Sequence, residues 1–86
     1  MYKAKRKGAS GSFDKNDIER IKLLQKNKCC YCKVSLKNGF HIDHIYPVSK
    51  GGSNEPKNIQ LLCPYCNISK KDKLPEDFAK KMGFLI

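Results

Sequence analysis

An α+β fold in one small domain, stapled by a metal ion, is what this sequence predicts, and three observations predict it. The chain has 86 residues, 40% of them hydrophobic, and no Trp. A chain of that size buries about 60–65% of the surface its unfolded form exposes, against ordering costs of about 1–2 kcal/mol per residue. Five cysteines, two pairs of them in C-x-x-C spacing, offer the staple that such a small core needs. A helix-type pattern is followed by two strand-type runs and two further helix-type runs. A long coiled coil is excluded because Gly, Pro and Cys interrupt every long stretch, and a membrane span because no run approaches about 18 apolar residues.

The elements follow in order. Residues 1–12 read as a flexible basic arm, with Lys3, Lys5, Arg6 and Lys7 followed by Gly8-Ala9-Ser10-Gly11. Residues 13–86 read as the single folded domain. Residues 14–27 read as a helix: Asp14 is the N-cap, Asp17 stands at N3, and Phe13 with Ile18 has the spacing of a hydrophobic staple. Ile18, Ile21, Leu24 and Gln25 recur at helical spacing and define its buried face. Residues 34–36 and 40–46 read as two strands joined at Lys37-Asn38-Gly39, since Asn-Gly is a strong short hairpin signal. Pro47 stops the second strand. Residues 47–57, with Gly51, Gly52, Ser53, Asn54 and Pro56, read as a loop, and Gly51-Gly52 as a plain turn within it. Residues 59–62 are an apolar run that packs inward. Residues 67–73 read as a short helix, and a last helix starts at Pro75, a favoured first helical residue, and ends at Gly83.

Eighteen Lys and Arg against eight Asp and Glu give a net charge of +10. That self-repulsion points to an anionic partner, and nucleic acid is the expected one. The basic start leads into Gly-Ser and not into an apolar stretch, so no secretory signal is read and a cytoplasmic, membrane-free location is expected.

Cys29-Cys30-Tyr31-Cys32 and Cys63-Pro64-Tyr65-Cys66 match a four-thiolate zinc site. Each C-x-x-C turn aims two sulfurs at one point, and two turns complete a tetrahedron. Zn²⁺ held by Cys29, Cys32, Cys63 and Cys66 would be structural, and can supply about 10–16 kcal/mol of apparent binding energy. Disulfides would require an oxidising compartment, and a redox pair needs only one C-x-x-C in a βαβ setting. Cys30 is the odd cysteine, since using it in place of Cys29 would give C-x-C spacing. Tyr31, Tyr46 and Tyr65 are expected to pack around the two knuckles.

Zinc would pin residues 40–46 against the base of the 67–73 helix. Both histidines lie in that first segment, Phe40-His41-Ile42-Asp43-His44-Ile45. Asp43 and His44 form an acid–His pair at a strand end, and Asn67 opens the facing helix. A carboxylate and an amide carbonyl are hard oxygen donors suited to Mg²⁺ or a similar divalent ion. A neutral imidazole can take a proton from water. Lys70, Lys71 and Lys73 stand ready for phosphate. Together these parts describe metal-assisted phosphodiester hydrolysis. Strand alternation would send Asp43 and His44 to opposite faces, so both can serve one phosphate only where the strand bends.

The run His41-Ile42-Asp43-His44-Ile45-Tyr46-Pro47, then Gly51-Gly52-Ser53, then Asn58-Ile59-Gln60-Leu61-Leu62-Cys63-Pro64-Tyr65-Cys66-Asn67-Ile68-Ser69-Lys70, resembles the HNH endonucleases, and Cys29-Cys30-Tyr31-Cys32 is similar to their zinc-containing branch. The resemblance covers about residues 28–70. It implies a ββα-metal (His-Me finger) fold in which the two strands are the 34–46 hairpin and the helix is the one opened by Asn67. It implies His44 as general base, Asp43 and Asn67 as ligands of the catalytic ion, and Asn58 as a structural amide tying the loop to the hairpin. Lys71 stands where some members carry a further His, so the ion would have two protein ligands, with water and phosphate completing its shell. His41 lies outside the motif and could be a third ligand, a group behind the ligands or a solvent-facing residue.

The function expected is therefore DNA phosphodiester hydrolysis, with Lys5, Arg6, Lys7, Lys70, Lys71 and Lys73 as the nucleic-acid-binding cations and a homodimer or larger protein complex left open as the working assembly. The competing reading is a non-catalytic zinc-stapled module that binds nucleic acid. Asp43, His44 and Asn67 separate the two, because a pure binder has no need of all three.

Overall fold

The computed structural model describes residues 10–81, so Lys5, Arg6 and Lys7 of the expected arm and the expected helix end at Gly83 lie outside the described residues. The fold is a small α+β assembly around a two-stranded antiparallel sheet. Among the described residues, no helix is long and apolar enough to cross a membrane.

The first helix, α1 (Lys15–Leu24), starts where its capping chemistry places it. Asp14 accepts from the Asp17 backbone N–H at 3.1 Å, and the Asp17 carboxylate accepts from the Asp14 N–H at 3.0 Å. The Asp14 backbone bond first, then the Arg20 side chain, holds the Asp17 carboxyl below its ordinary value. Phe13 and Ile18 are both buried, as the staple spacing requires. The helix ends earlier than residue 27, because Lys26 and Asn27 both take positive φ, 57° and 56°, and a non-glycine pair there cannot continue a right-handed helix. Leu24, expected inside, is exposed. Gln25 takes the inward role: its amide accepts from the Leu61 N–H and donates to the Leu61 carbonyl, both at 3.0 Å. A side chain thus satisfies the free edge of a strand that has no further strand beside it.

The expected hairpin is the main correction. Residues 34–36 do not pair with 40–46. They fold back on the first knuckle, where Lys28 and Ser35 form an isolated bridge and the Cys29 N–H donates to the Val34 carbonyl at 2.8 Å. Asn38-Gly39 does turn the chain, with the Gly39 N–H on the Leu36 carbonyl at 3.0 Å and a Gly39 φ of 135°, but the turn leads out of the knuckle and not between two paired strands. The two strands are β1 (His41–His44) and β2 (Ile59–Leu62), with His41 opposite Leu62 and Asp43 opposite Gln60. All four residues of β2 are buried. Burying so apolar a run on both faces requires a covering partner on each side, and α1 packs on β2 while α2 packs on both strands.

The loop between the strands carries two short 3₁₀ turns, Val48–Lys50 and Pro56–Asn58. Gly51, at φ 94°, closes the first, and Gly52 lies so close to the Tyr46 carbonyl that no Cβ could be placed there. Ser10, the first described residue, accepts from the Asn54 N–H through its carbonyl at 2.7 Å. The second helix, α2 (Pro64–Lys70), starts three residues before the expected 67, since Pro64 occupies its first turn and the Cys63 sulfur caps it by accepting from the Cys66 N–H at 3.4 Å. Asn67 therefore sits mid-helix and does not open it. The third helix, α3 (Pro75–Lys81), begins as read and buries Phe78 edge-on against Tyr31, ring centroids 4.6 Å apart. Tyr46 and Tyr65, expected to pack around the knuckles as Tyr31 does, are instead exposed.

Candidate active site and metal centre

The first knuckle and the junction of β2 with α2 bring four sulfurs together. The Sγ atoms of Cys29, Cys32, Cys63 and Cys66 lie within 4.8 Å of one another, and all but Cys32 are buried. Cys32 Sγ and Cys63 Sγ are 3.5 Å apart. Cys30 stays outside the cluster, half-buried. Four thiols converging in this way, with no disulfide among them, fit a tetrahedral metal, and an all-sulfur donor set is that of structural zinc. The ionisation behaviour of the group agrees. Burial pushes the Cys66 thiol up, and its three sulfur neighbours push the same way. Burial also raises Cys29, but backbone N–H donors, that of Cys63 first and then those of Cys32 and Tyr31, outweigh it and bring that thiol down to about 7. A first thiolate thus forms readily and the next is resisted, a conflict that a divalent cation among the sulfurs relieves. Since Cys63 directly follows β2, the metal site pins the first knuckle to the β2–α2 junction, while β1 is held by its own pairing with β2 and by α2.

Beside this closed cluster, β1 and α2 frame an open cleft of ≈ 490 Å³ lined by Asp43, His44 and Asn67, with Pro47, Ile68 and Lys71 among its walls. β1 ends at His44 and the chain bends at Ile45 and Tyr46. Two neighbours that a longer regular strand would send to opposite faces therefore both reach the cleft.

Each of these side chains is held by a specific partner. The His44 Nε2 lies 2.7 Å from the Asn54 Oδ1. An amide oxygen only accepts, so Nε2 carries the hydrogen, and in the neutral ring Nδ1 keeps the lone pair. The Asn67 Nδ2 donates to the His41 Nδ1 at 3.1 Å, which leaves the Asn67 carbonyl oxygen as its free end. Asp43 is buried, and its Oδ2 accepts from the Gln60 Nε2 at 2.9 Å and lies 3.2 Å from the Lys70 Nζ. Asn58, also buried, accepts from the Tyr46 N–H at 2.9 Å and donates to the carbonyls of Tyr46 and Ser53 at 3.0 and 2.8 Å. It ties both ends of the inter-strand loop to one amide.

The fold of this site, the four-sulfur cluster beside it and the order of the motif residues now stand together with a family profile described as HNH endonuclease, which matches residues 29–83. The chain belongs to the HNH endonuclease family. Two relatives are similar to it. One is a CRISPR-associated endonuclease Cas9 from Actinomyces naeslundii, 33% identical over 82 residues, which is 88% of this chain and 7% of that protein. The other is an anaredoxin from Nostoc sp., 36% identical over 50 residues, 57% of this chain and 63% of that protein. The chain thus spans a small fraction of the first relative and less than two thirds of the second.

The lysines expected to face phosphate as a group do not behave alike. Lys71 is exposed at the rim of the cleft, with φ 52° at the end of α2. Lys73 is half-buried, its ammonium on the Ser69 carbonyl at 3.1 Å. Lys70 is wholly buried and faces Asp43, so it is withdrawn from any phosphate-binding surface. Sequence reasoning missed the contacts made by Asn54, Gln60 and Lys70. Asn54 had a local signal, since it lies in the loop after His44, but the other two contacts cross between elements.

Proposed function

We propose that this domain hydrolyses DNA phosphodiester bonds as a metal-dependent endonuclease, with the reaction in the cleft between β1 and α2. The observation that carries this reading is the convergence of Asp43, His44 and Asn67 on one open cleft in a chain of the HNH endonuclease family. His44 acts as general base. Asn54 holds its Nε2–H, so Nδ1 is the atom that takes the proton from the attacking water, and the hydrogen bond sets the plane in which it does so. Asp43 and Asn67 present one oxygen each to a divalent ion. Two hard oxygen donors beside open solvent fit Mg²⁺, which keeps several of its own waters and bonds phosphate directly. When bound, such an ion neutralises charge on the phosphate and stabilises the leaving 3′ oxygen.

Asn58 keeps the loop that carries Asn54 closed against the strand ends. Lys71 at the rim, with Lys73 and the Lys5, Arg6, Lys7 arm, supplies cations for the DNA backbone. About five such contacts would give a log affinity against log salt slope near −4 to −5. A supercoiled-plasmid nicking assay tests the reading. Nicking is expected with Mg²⁺ and not with EDTA, and His44→Ala is expected to slow it by about 10²–10⁴-fold with the zinc retained. Plasmid binding without nicking would establish a non-catalytic zinc module instead, and a His44→Ala protein that nicks as fast as the parent would overturn His44 as the base.

A further inference from the structure

Lys70 is the largest fully buried side chain among the described residues. Lysine is almost never fully buried unless paired, because its ammonium must recover the hydration it gives up. Its Nζ lies 3.2 Å from the Asp43 Oδ2 and donates to the His44 carbonyl at 3.0 Å. Gln60, opposite Asp43 in the sheet, donates to that same Oδ2 at 2.9 Å. Both charged and neutral partners of Asp43 thus fall on one carboxylate oxygen. No buried side-chain oxygen or nitrogen among the described residues lacks a partner. The Asp43 Oδ1, with no such partner, is therefore the oxygen that reaches the cleft.

We propose that Lys70 is a positioning residue of the active site, one that turns the Asp43 Oδ1 toward the divalent ion and sets the spacing of the two elements that share it. The proposal rests on the reading of the cleft as the nuclease site. Lys70 lies one turn after Asn67 on α2, while both of its contacts are on β1. One ammonium therefore cross-links the helix bearing the Asn67 oxygen to the strand bearing Asp43 and His44. The clamp on Oδ2 stops the carboxylate from rotating about its own axis, and the full-length lysine stem determines how closely the helix end approaches the strand. A charge-free side chain of similar length would fill the same space and make neither contact. This also explains why Lys70, unlike Lys71 at the rim, is withdrawn from the DNA-facing surface.

Two measurements on the full chain test it. In Lys70→Met, Mn²⁺ binding followed by electron paramagnetic resonance is expected to weaken by about 10–100-fold, and kcat for nicking to fall by a similar factor. The KM for duplex DNA and the salt slope should stay at parental values, whereas losing a phosphate contact would raise KM and flatten the slope by about one unit. Circular dichroism and one zinc per chain establish that the variant is folded. Because that variant could fail to fold, the parent is also titrated with Mg²⁺ while the Lys70 side-chain ammonium is followed by ¹H–¹⁵N resonance. Its signal should move with the same midpoint as the Asn67 amide. Parental Mn²⁺ affinity and kcat in Lys70→Met, a loss confined to KM and salt slope, or a Lys70 signal unmoved by Mg²⁺ would overturn the proposal. A parent whose Mn²⁺ binding weakens in Lys70→Met as expected, but which never nicks, would sink the nuclease reading alone; a parent that binds no Mn²⁺ sinks both.

Discussion

The four-cysteine cluster and the Asp43–His44–Asn67 cleft are neighbours in the chain, since Cys66 and Asn67 are consecutive, yet they are built on opposite plans. In the cluster, four sulfur donors lie within 4.8 Å of one another. In the cleft, the donors line ≈ 490 Å³ of open space, and each is steadied from behind by a group that does not enter it: Asn54 behind His44, Lys70 and Gln60 behind Asp43, His41 beside Asn67. A closed donor set leaves a metal no free position and is suited to holding a fold. An open set leaves room for water and phosphate and is suited to chemistry. Helix α2 carries members of both, so the closed site fixes the base of the helix on which the open one depends.

Variants at the two sites should accordingly fail in different ways. The largest effect falls on the cluster: Cys63→Ser forfeits a metal whose binding is worth about 10–16 kcal/mol, and helical dichroism should be lost with it. An intact spectrum without bound zinc would erase the distinction between the sites. Next comes Asn67→Ala, expected to slow Mg²⁺-dependent nicking on the order of 100-fold while zinc content and dichroism stay parental; zinc loss in that variant would mean the helix, not the cleft, was damaged. Asn54→Ala removes the group that sets the His44 ring, with an expected loss of about 10–100-fold in kcat at unchanged KM for DNA. A rise in KM alone would show that Asn54 serves the substrate surface. The smallest effect belongs to Asp14→Ala, which deletes the α1 cap: about 1 kcal/mol of stability by urea titration, and no change in nicking rate per folded molecule. A large activity loss there would reveal coupling between α1 and the cleft.

What could be read along the chain was local. The Asp14–Asp17 capping box and the Phe13–Ile18 staple act over a few residues, and each C-x-x-C turn carries its own geometry. The identities of Asp43, His44, Asn58 and Asn67 as a candidate set came from short motifs in a fixed order. The misreadings share one character. Residues 34–36 looked like a strand because Asn38-Gly39 turns the chain, but pairing is decided by which apolar run needs covering, and β2, buried along its whole length, claimed β1. Lys70 looked like a phosphate ligand because lysines on a short helix normally face water.

By itself, then, the sequence determined the caps, the two knuckles and the short motifs that supply the candidate site residues, because those depend on patterns within a few residues. Only the tertiary structure decided that β1 pairs with β2, that Gln60 and Lys70 meet on one oxygen of Asp43, and that Asn54 holds His44. The reason is physical: a buried charge or a strand edge must be satisfied by whatever group the packed chain brings to it. For Lys70 that group lies on another element, and no local pattern specifies it.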